Sequence, residues 1–420
     1  MPATSTPPLQ AIDSPDMRRA GGELLSLALL DARNHTLDLL GQLGEATAVL
    51  PDDEATRAYL SPALWTAGHA GWFQERWTGR NPQRSLGSAC AADALRLGSI
   101  EALADSWWDP AQSLPQARWQ MPLPDAERVR AYLLDVLEGT LGLLEKTPDT
   151  DDALYFYRLA LFHEDRLGET LVRLAQALGL PLQLELPQAS VARAPLLLPA
   201  TRWTMGVAST PLQRGFAFDE EQPAHTVDVP DCEIDAQPVS WAQFIEFVDD
   251  DGYDRQELWH PEGWAWLQQL GQGEGRRAPR HVTQISVASG AVLQTRFGKA
   301  VRLAGHYAAV HLSWWEADAW CRWAGRRLPT EVEWEMAALT AAQRGFRWGD
   351  VWEWTAATLR PYPGYLPGPA HELASPWFGR AKVLRGASFA TRARMRHARF
   401  RGFALPDDDT HFAGFRSCAI

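Results

Sequence analysis

The chain contains no apolar run approaching the roughly 20 residues that a bilayer-spanning helix needs, and Met1 to Asp16 shows no basic stretch followed by an apolar core. Neither membrane insertion nor secretion is expected, and we expect a cytoplasmic protein. Cysteine is scarce. Cys90, Cys232, Cys321 and Cys418 lie far apart and form no Cys-x-x-Cys pair, which argues against a zinc knuckle or a disulfide framework and leaves buried free thiols as the expectation. Positive charge is also in deficit: the formal net charge of -12 argues against a nucleic-acid surface, because phosphate binding needs a basic footprint. These absences leave small-molecule chemistry. What remains is an ordinary globular composition, 420 residues with 46% hydrophobic and 22% charged, and that length has room for two domains.

Residues 1–20 are rich in Pro, Ser, Thr and Ala with little to bury, and predict a disordered tail. Helical spacing dominates residues 21–180. Leu24, Leu25, Ala28, Ala32, Leu37, Leu39, Leu40 and Leu43 fall close to one helical face, and Val129, Tyr132, Leu133, Val136, Leu137 and Leu141 repeat the pattern. A third stretch runs from Ala153 to Leu178, stopped by Gly179 and Pro181, and a fourth helix is expected around Trp65 to Trp77. This is the pattern of a four-helix bundle. Residues 181–200 carry four prolines and read as a linker or extended crossing. Beyond it, in residues 201–420, Gly, Pro and short β-like runs replace the long helices, and 14 of the 20 tryptophans lie there. Many small aromatic clusters can hold such a domain together.

Four ordered blocks mark this second half: Arg326-Arg327-Leu328-Pro329-Thr330-Glu331-Val332-Glu333-Trp334-Glu335, Trp348 to Thr355, Leu384 to Phe389, and Gly414-Phe415-Arg416. Together they resemble the formylglycine-generating-enzyme type of domain, a C-type-lectin-like, irregular α+β fold. Ahead of it the helical half resembles a DinB-like four-helix bundle, so the expected class is α+β multidomain. The fold is a scaffold for several chemistries, and function has to be argued from the site.

Trp65-Thr66-Ala67-Gly68-His69 and His163-Glu164-Asp165-Arg166-Leu167-Gly168-Glu169 carry that argument. A single histidine on an apolar helical face is ordinarily a core residue, but the fusion order resembles the non-haem iron sulfoxide synthases of ergothioneine biosynthesis. In that family a Trp-x-x-x-His segment and a His-x-x-x-His-x-Glu segment supply three iron-binding histidines, and ligands four apart share one helical face. The resemblance implies Fe(II) as cofactor, His69 and His163 as ligands, and Glu169 as the trailing carboxylate. Leu167 stands at the third ligand position and cannot coordinate metal. Water, Asp165, Glu164 or His35 then completes the site, or the metal site is lost. Arg166 occupies a position where the family has a glutamine that helps hold the substrate.

Within that group the chain is most similar to the selenoneine synthase branch, on the fusion order, the His163-Glu164-Asp165 start and the run from Leu384 to Cys418. This implies oxygen-dependent joining of hercynine, a trimethylammonium betaine, to a selenosugar. Alternatives are a related synthase taking a sulfur donor and a metal-free binding protein. Gly402, Phe403, Ala404 and Asp408 stand where thiol-using relatives hold their donor, and the acids Asp407, Asp408 and Asp409 would suit sugar hydroxyls. A solvated turn is the plain alternative for that triplet. Tyr362 and Tyr365 are the candidate phenolic proton donors, since a phenol stays largely neutral near pH 7. Trp72, Phe73, Trp354 and Phe403 are candidate aromatic walls for the trimethylammonium group. Arg166 and Arg416 complete the expected substrate-binding set. Hercynine, the selenosugar and O2 are the expected partners, with no nucleic acid and no membrane; oligomeric state is left open.

Overall fold

The computed structural model describes residues 11–44, 49–187, 191–208, 215–270 and 276–420. Eleven α-helices lie among these residues: α1 (Gly22–Leu43), α2 (Glu54–Tyr59), α3 (Ala63–Trp77), α4 (Ala104–Trp108), α5 (Pro115–Arg118), α6 (Ala126–Leu144), α7 (Asp151–Ala177), α8 (Trp241–Asp249), α9 (Pro261–Leu270), α10 (Trp314–Trp323) and α11 (Glu331–Thr340). None of the described helices is long and apolar enough to cross a membrane.

The four long helices α1, α3, α6 and α7 pack together, as the apolar spacing predicts. Thr150 caps α7 by accepting from the Ala153 amide, and Asp151 and Asp152 complement the positive helix end. Its other end is closed by Gly179 at φ +67, a left-handed residue that lets Leu180 N–H reach Ala175 C=O. Most of α7 is buried, because α1 and α3 cover one side and the second domain covers the other.

The second domain has short strands β1 (Leu196–Leu198), β2 (Thr201–Met205), β3 (His225–Val229), β4 (Cys232–Ile234), β5 (Val282–Ser286), β6 (Ala291–Arg296), β7 (Lys299–Leu303), β8 (Trp352–Thr358), β9 (Lys382–Gly386), β10 (Gly402–Ala404) and β11 (Ala413–Phe415). Its largest sheet runs β10-β9-β8-β11, with β8 parallel to β11 and the other pairs antiparallel. Glu353 faces Arg385 across β8 and β9. Capping boxes start three helices: Ser240 with Gln243, Ser313 with Glu316, and Thr330 with Glu333. Helix α11 then projects Glu331 and Glu335 into the core, where Arg385 and Arg401 meet Glu331 and Arg385 also meets Glu335.

Two boundaries differ from the sequence expectation. Residues 1–10 lie outside the described residues, but the rest of the expected tail is docked: Arg18 is buried and donates twice into Glu221, at 2.7 and 2.8 Å. The linker contributes a strand, because β1 pairs with β4 and buries Leu196 and Leu198. All four cysteines are buried and free.

Candidate active site

A cavity of about 350 Å³ lies where α7 meets the second domain. One stripe of α7 forms its floor, with His163, the adjacent Arg166 and Leu167, Thr170 and Arg173 on successive turns. Strand β10 and the segment after it form the facing wall through Gly402, Phe403, Ala404 and Asp408, while Tyr59 and Arg118 close the side from the helical half.

His69 and His163 meet at the bundle end of this cavity. Their Nε2 atoms are 3.2 Å apart. His69 Nδ1 lies 2.9 Å from Trp108 C=O, which can only accept, so Nδ1 carries the proton and the Nε2 lone pair points at His163. Burial lowers the His69 pKa to about 4, and burial followed by the neighbouring charges of His69 and Arg166 lowers that of His163 well below the ordinary range. Both imidazoles are therefore neutral near pH 7, the protonation state a metal requires. Aromatic rings fix them. Trp65 stacks on His69 at 4.9 Å, Trp72 on its other side at 5.4 Å, and Phe73 on His163 at 3.8 Å. Gly68 permits this arrangement, because a Cβ there would collide with the Trp108 indole whose backbone holds His69.

Two nitrogens bound in adjacent positions at about 2.1 Å from one ion sit about 3 Å apart, so the pair has the spacing of two metal ligands. No group of three His, Cys, Asp or Glu side chains suited to a metal occurs among the described residues. The substitutes considered for the third ligand are engaged elsewhere. Glu164 accepts from Arg33 at 2.8 and 3.0 Å, and Asp165 accepts from Arg394 at 2.7 and 2.8 Å. His35 packs on Gly168, with Cδ2 3.3 Å from where a Gly168 Cβ would stand. Leu167 lines the cavity on the next turn after His163. The residues present thus fit a metal through two imidazoles, with its remaining positions open to water or substrate.

Several expected site residues are elsewhere. Tyr362 is not among the cavity-lining residues; its hydroxyl donates to Glu331 at 2.9 Å and accepts from Arg385 at 3.1 Å. Tyr365 also lies outside the lining, with burial and the charges of Asp219 and Glu220 pushing its phenol up to about 12. Trp354 is fully buried and donates to Leu312 C=O. Arg416 is locked onto Glu353 and onto the backbone carbonyls of Asp235 and Arg347. Trp72 and Phe73 hold the histidines instead of lining the cavity, and only Phe403 of the proposed aromatic walls reaches it. Asp408 does line it, but Arg173 and His411 claim its carboxylate and hold its pKa down against burial. Asp409 is paired with Arg276 and Arg280, and Asp407 with the Tyr59 hydroxyl, so the acidic triplet is spent on internal contacts. Sequence reasoning missed Tyr59, Arg118, Trp377 and His411, which come from separate loops and helix ends. No local spacing brings them together.

Glu169 shows how the two halves are fastened. It accepts from Trp352 Nε1 at 2.7 Å, Ser388 Oγ at 2.6 Å and Thr391 Oγ1 at 2.7 Å. The trailing carboxylate of the histidine helix is an anchor for the sheet.

This sheet-and-loop half matches the family of the sulfatase-modifying factor enzyme 1-like domain, over residues 185–350 and 345–419, and the chain belongs to that class. A formylglycine-generating enzyme from Streptomyces coelicolor is 28% identical across 54% of this chain and 89% of its own length. Similarity extends much further in a second group. A hercynine oxygenase from Mycolicibacterium smegmatis is 30% identical across 94% of this chain and 98% of that protein, and one from Mycobacterium tuberculosis is 30% identical across 85% and 90%. The chain belongs to the hercynine oxygenase family, with both halves and their order included.

Proposed function

We propose that this protein is an oxygen-dependent, hercynine-modifying enzyme that joins hercynine to a selenosugar through a carbon–selenium bond. The observation that carries the reading is the His69–His163 pair, Nε2 to Nε2 at 3.2 Å, whose His163 member lines the cavity between the two halves. Family membership supports hercynine as one substrate. His69 and His163 would hold Fe(II), which supplies dioxygen activation when bound. The protein's own part is orientation. Trp65, Trp72 and Phe73 clamp the imidazoles, and the Trp108 carbonyl fixes the His69 tautomer, so that neither ring has to reorganise. Trp352, Trp377 and Phe403 give the cavity aromatic surface for a trimethylammonium group. A neutral sugar is favoured as donor because Ala404 stands in the lining strand and the acids after it are already paired.

The test is turnover. Chain reconstituted anaerobically with Fe(II) is given O2, hercynine and, in parallel, a selenosugar, cysteine or γ-glutamylcysteine, with products followed by mass spectrometry. A hercynine–selenosugar adduct is expected. Products from the thiols alone would make the protein a sulfur-using synthase. No product from any donor, with no iron retained, would favour a metal-free binding protein, the reading that Leu167 at the cavity floor supports.

A further inference from the structure

Most buried arginines among the described residues are paired with acids, and the exceptions Arg118, which also lines the cavity, and Arg296 donate to serine and glutamine oxygens. Arg18 meets Glu221, Arg33 meets Glu164, Arg173 meets Asp408, Arg394 meets Asp165, Arg401 meets Glu331 and Arg416 meets Glu353. The half-buried Arg166 has neither kind of partner. Its guanidinium makes no hydrogen bond or ion pair with any described residue, and Nη1 is buried without a partner. It lies over the Phe218 ring at 5.4 Å and the Phe403 ring at 5.8 Å, which orient the group but satisfy no N–H. It also lines the cavity.

The surroundings do not cancel its charge. Asp165 is held by Arg394 and Glu169 by three donors. Glu220 is near enough to interact but forms no ion pair, and burial pushes its carboxyl up to about 7. A guanidinium carries five donors in a planar fork that matches a carboxylate, and leaving them unmet at a half-buried site is costly. A ligand carboxylate would satisfy them.

We infer that Arg166 is the carboxylate anchor of the cavity, so that one of the molecules bound there is an acid gripped at this point. Arg166 lies three positions after His163 on one helix, which places the anchor about one turn from the histidine pair. A molecule of amino-acid size held by its carboxylate then extends along α7 towards His163. On the reading proposed above, that molecule is hercynine, whose carboxylate and cation would be sorted between Arg166 and the aromatic wall.

Isothermal titration of the full chain without added metal tests this. The probes are hercynine, N,N,N-trimethylhistamine, which keeps the imidazole and the cation but lacks the carboxylate, and the simple acids acetate, glutarate and cysteine. The unaltered chain should bind hercynine about 10- to 150-fold more tightly than trimethylhistamine, the range for hydrogen bonds to a charged group. Arg166→Gln should erase the difference, and Arg166→Lys, which keeps the charge without the fork, should restore part of it. Equal binding of the two probes by the unaltered chain, or a preference that survives in Arg166→Gln, would overturn the inference. Should hercynine fail to bind at all, the proposed substrate is wrong, and the acids decide for Arg166: weaker binding of any of them in Arg166→Gln sustains the anchor, and no change in any removes it.

Discussion

Two faces of helix α7 follow opposite rules. On the face against α1 and the second domain, every charge is answered: Glu164 by Arg33 and Thr36, Asp165 by Arg394, and Glu169 by Trp352, Ser388 and Thr391. On the cavity face, Arg173 is paired with Asp408, but His163 has a buried Nδ1 without a partner and Arg166 makes no hydrogen bond or ion pair with any described residue. The same helix that fastens the domains leaves buried polar atoms of His163 and Arg166 unmet. Removing one member of a buried pair leaves an uncompensated charge, and the unmet Arg166 is the group assigned above to a ligand.

The comparison breaks most visibly on the paired face. Arg33→Ala leaves Glu164 buried without its cation and should cost about 3–5 kcal/mol in urea unfolding; a loss under about 1 kcal/mol would show that this face is not structural. Glu169→Ala strands the Trp352, Ser388 and Thr391 donors together, with an expected loss of about 2–3 kcal/mol. Acidification probes histidines kept neutral by burial elsewhere. His281 and His397 have pKa values lowered to about 3, by burial first and then by Arg280 for His281 and Arg18 for His397. The unfolded chain takes up these protons below about pH 6.5 and the folded chain does not. Stability is thus complete above that pH and declines as pH falls towards 3, by at most about 1.4 kcal/mol per pH unit for each histidine. His281→Gln should flatten the melting temperature between pH 6.5 and 5, and an unchanged slope would contradict the assignment. Smallest is Leu167→His on the cavity face, which should change stability by less than about 1 kcal/mol because that side chain is only partly buried.

Helix positions were legible because the apolar spacing of α1, α6 and α7 follows one face. The blocks that identify the second domain proved to be its frame: Glu331 and Glu335 bind Arg385, and Arg416 binds Glu353. That is why Arg416 and Tyr362 resembled site residues and are core instead. His69 and His163, and their meeting, were expected from the resemblance and not from local spacing, since 94 residues separate them. Asp408 was misjudged because its partner Arg173 comes from α7, 235 residues away in sequence. Tyr59, Arg118 and Trp377 join the cavity only through tertiary packing, and no periodicity could have revealed them.

The central claim, that two histidines with Leu167 beside them still hold a metal, is tested most directly by iron content after anaerobic Fe(II) reconstitution and desalting. The unaltered chain, His69→Ala, His163→Ala and Leu167→His would be compared. The account predicts stoichiometric iron in the unaltered chain and in Leu167→His, and its loss from both alanine variants. Iron retained by Leu167→His alone would contradict it.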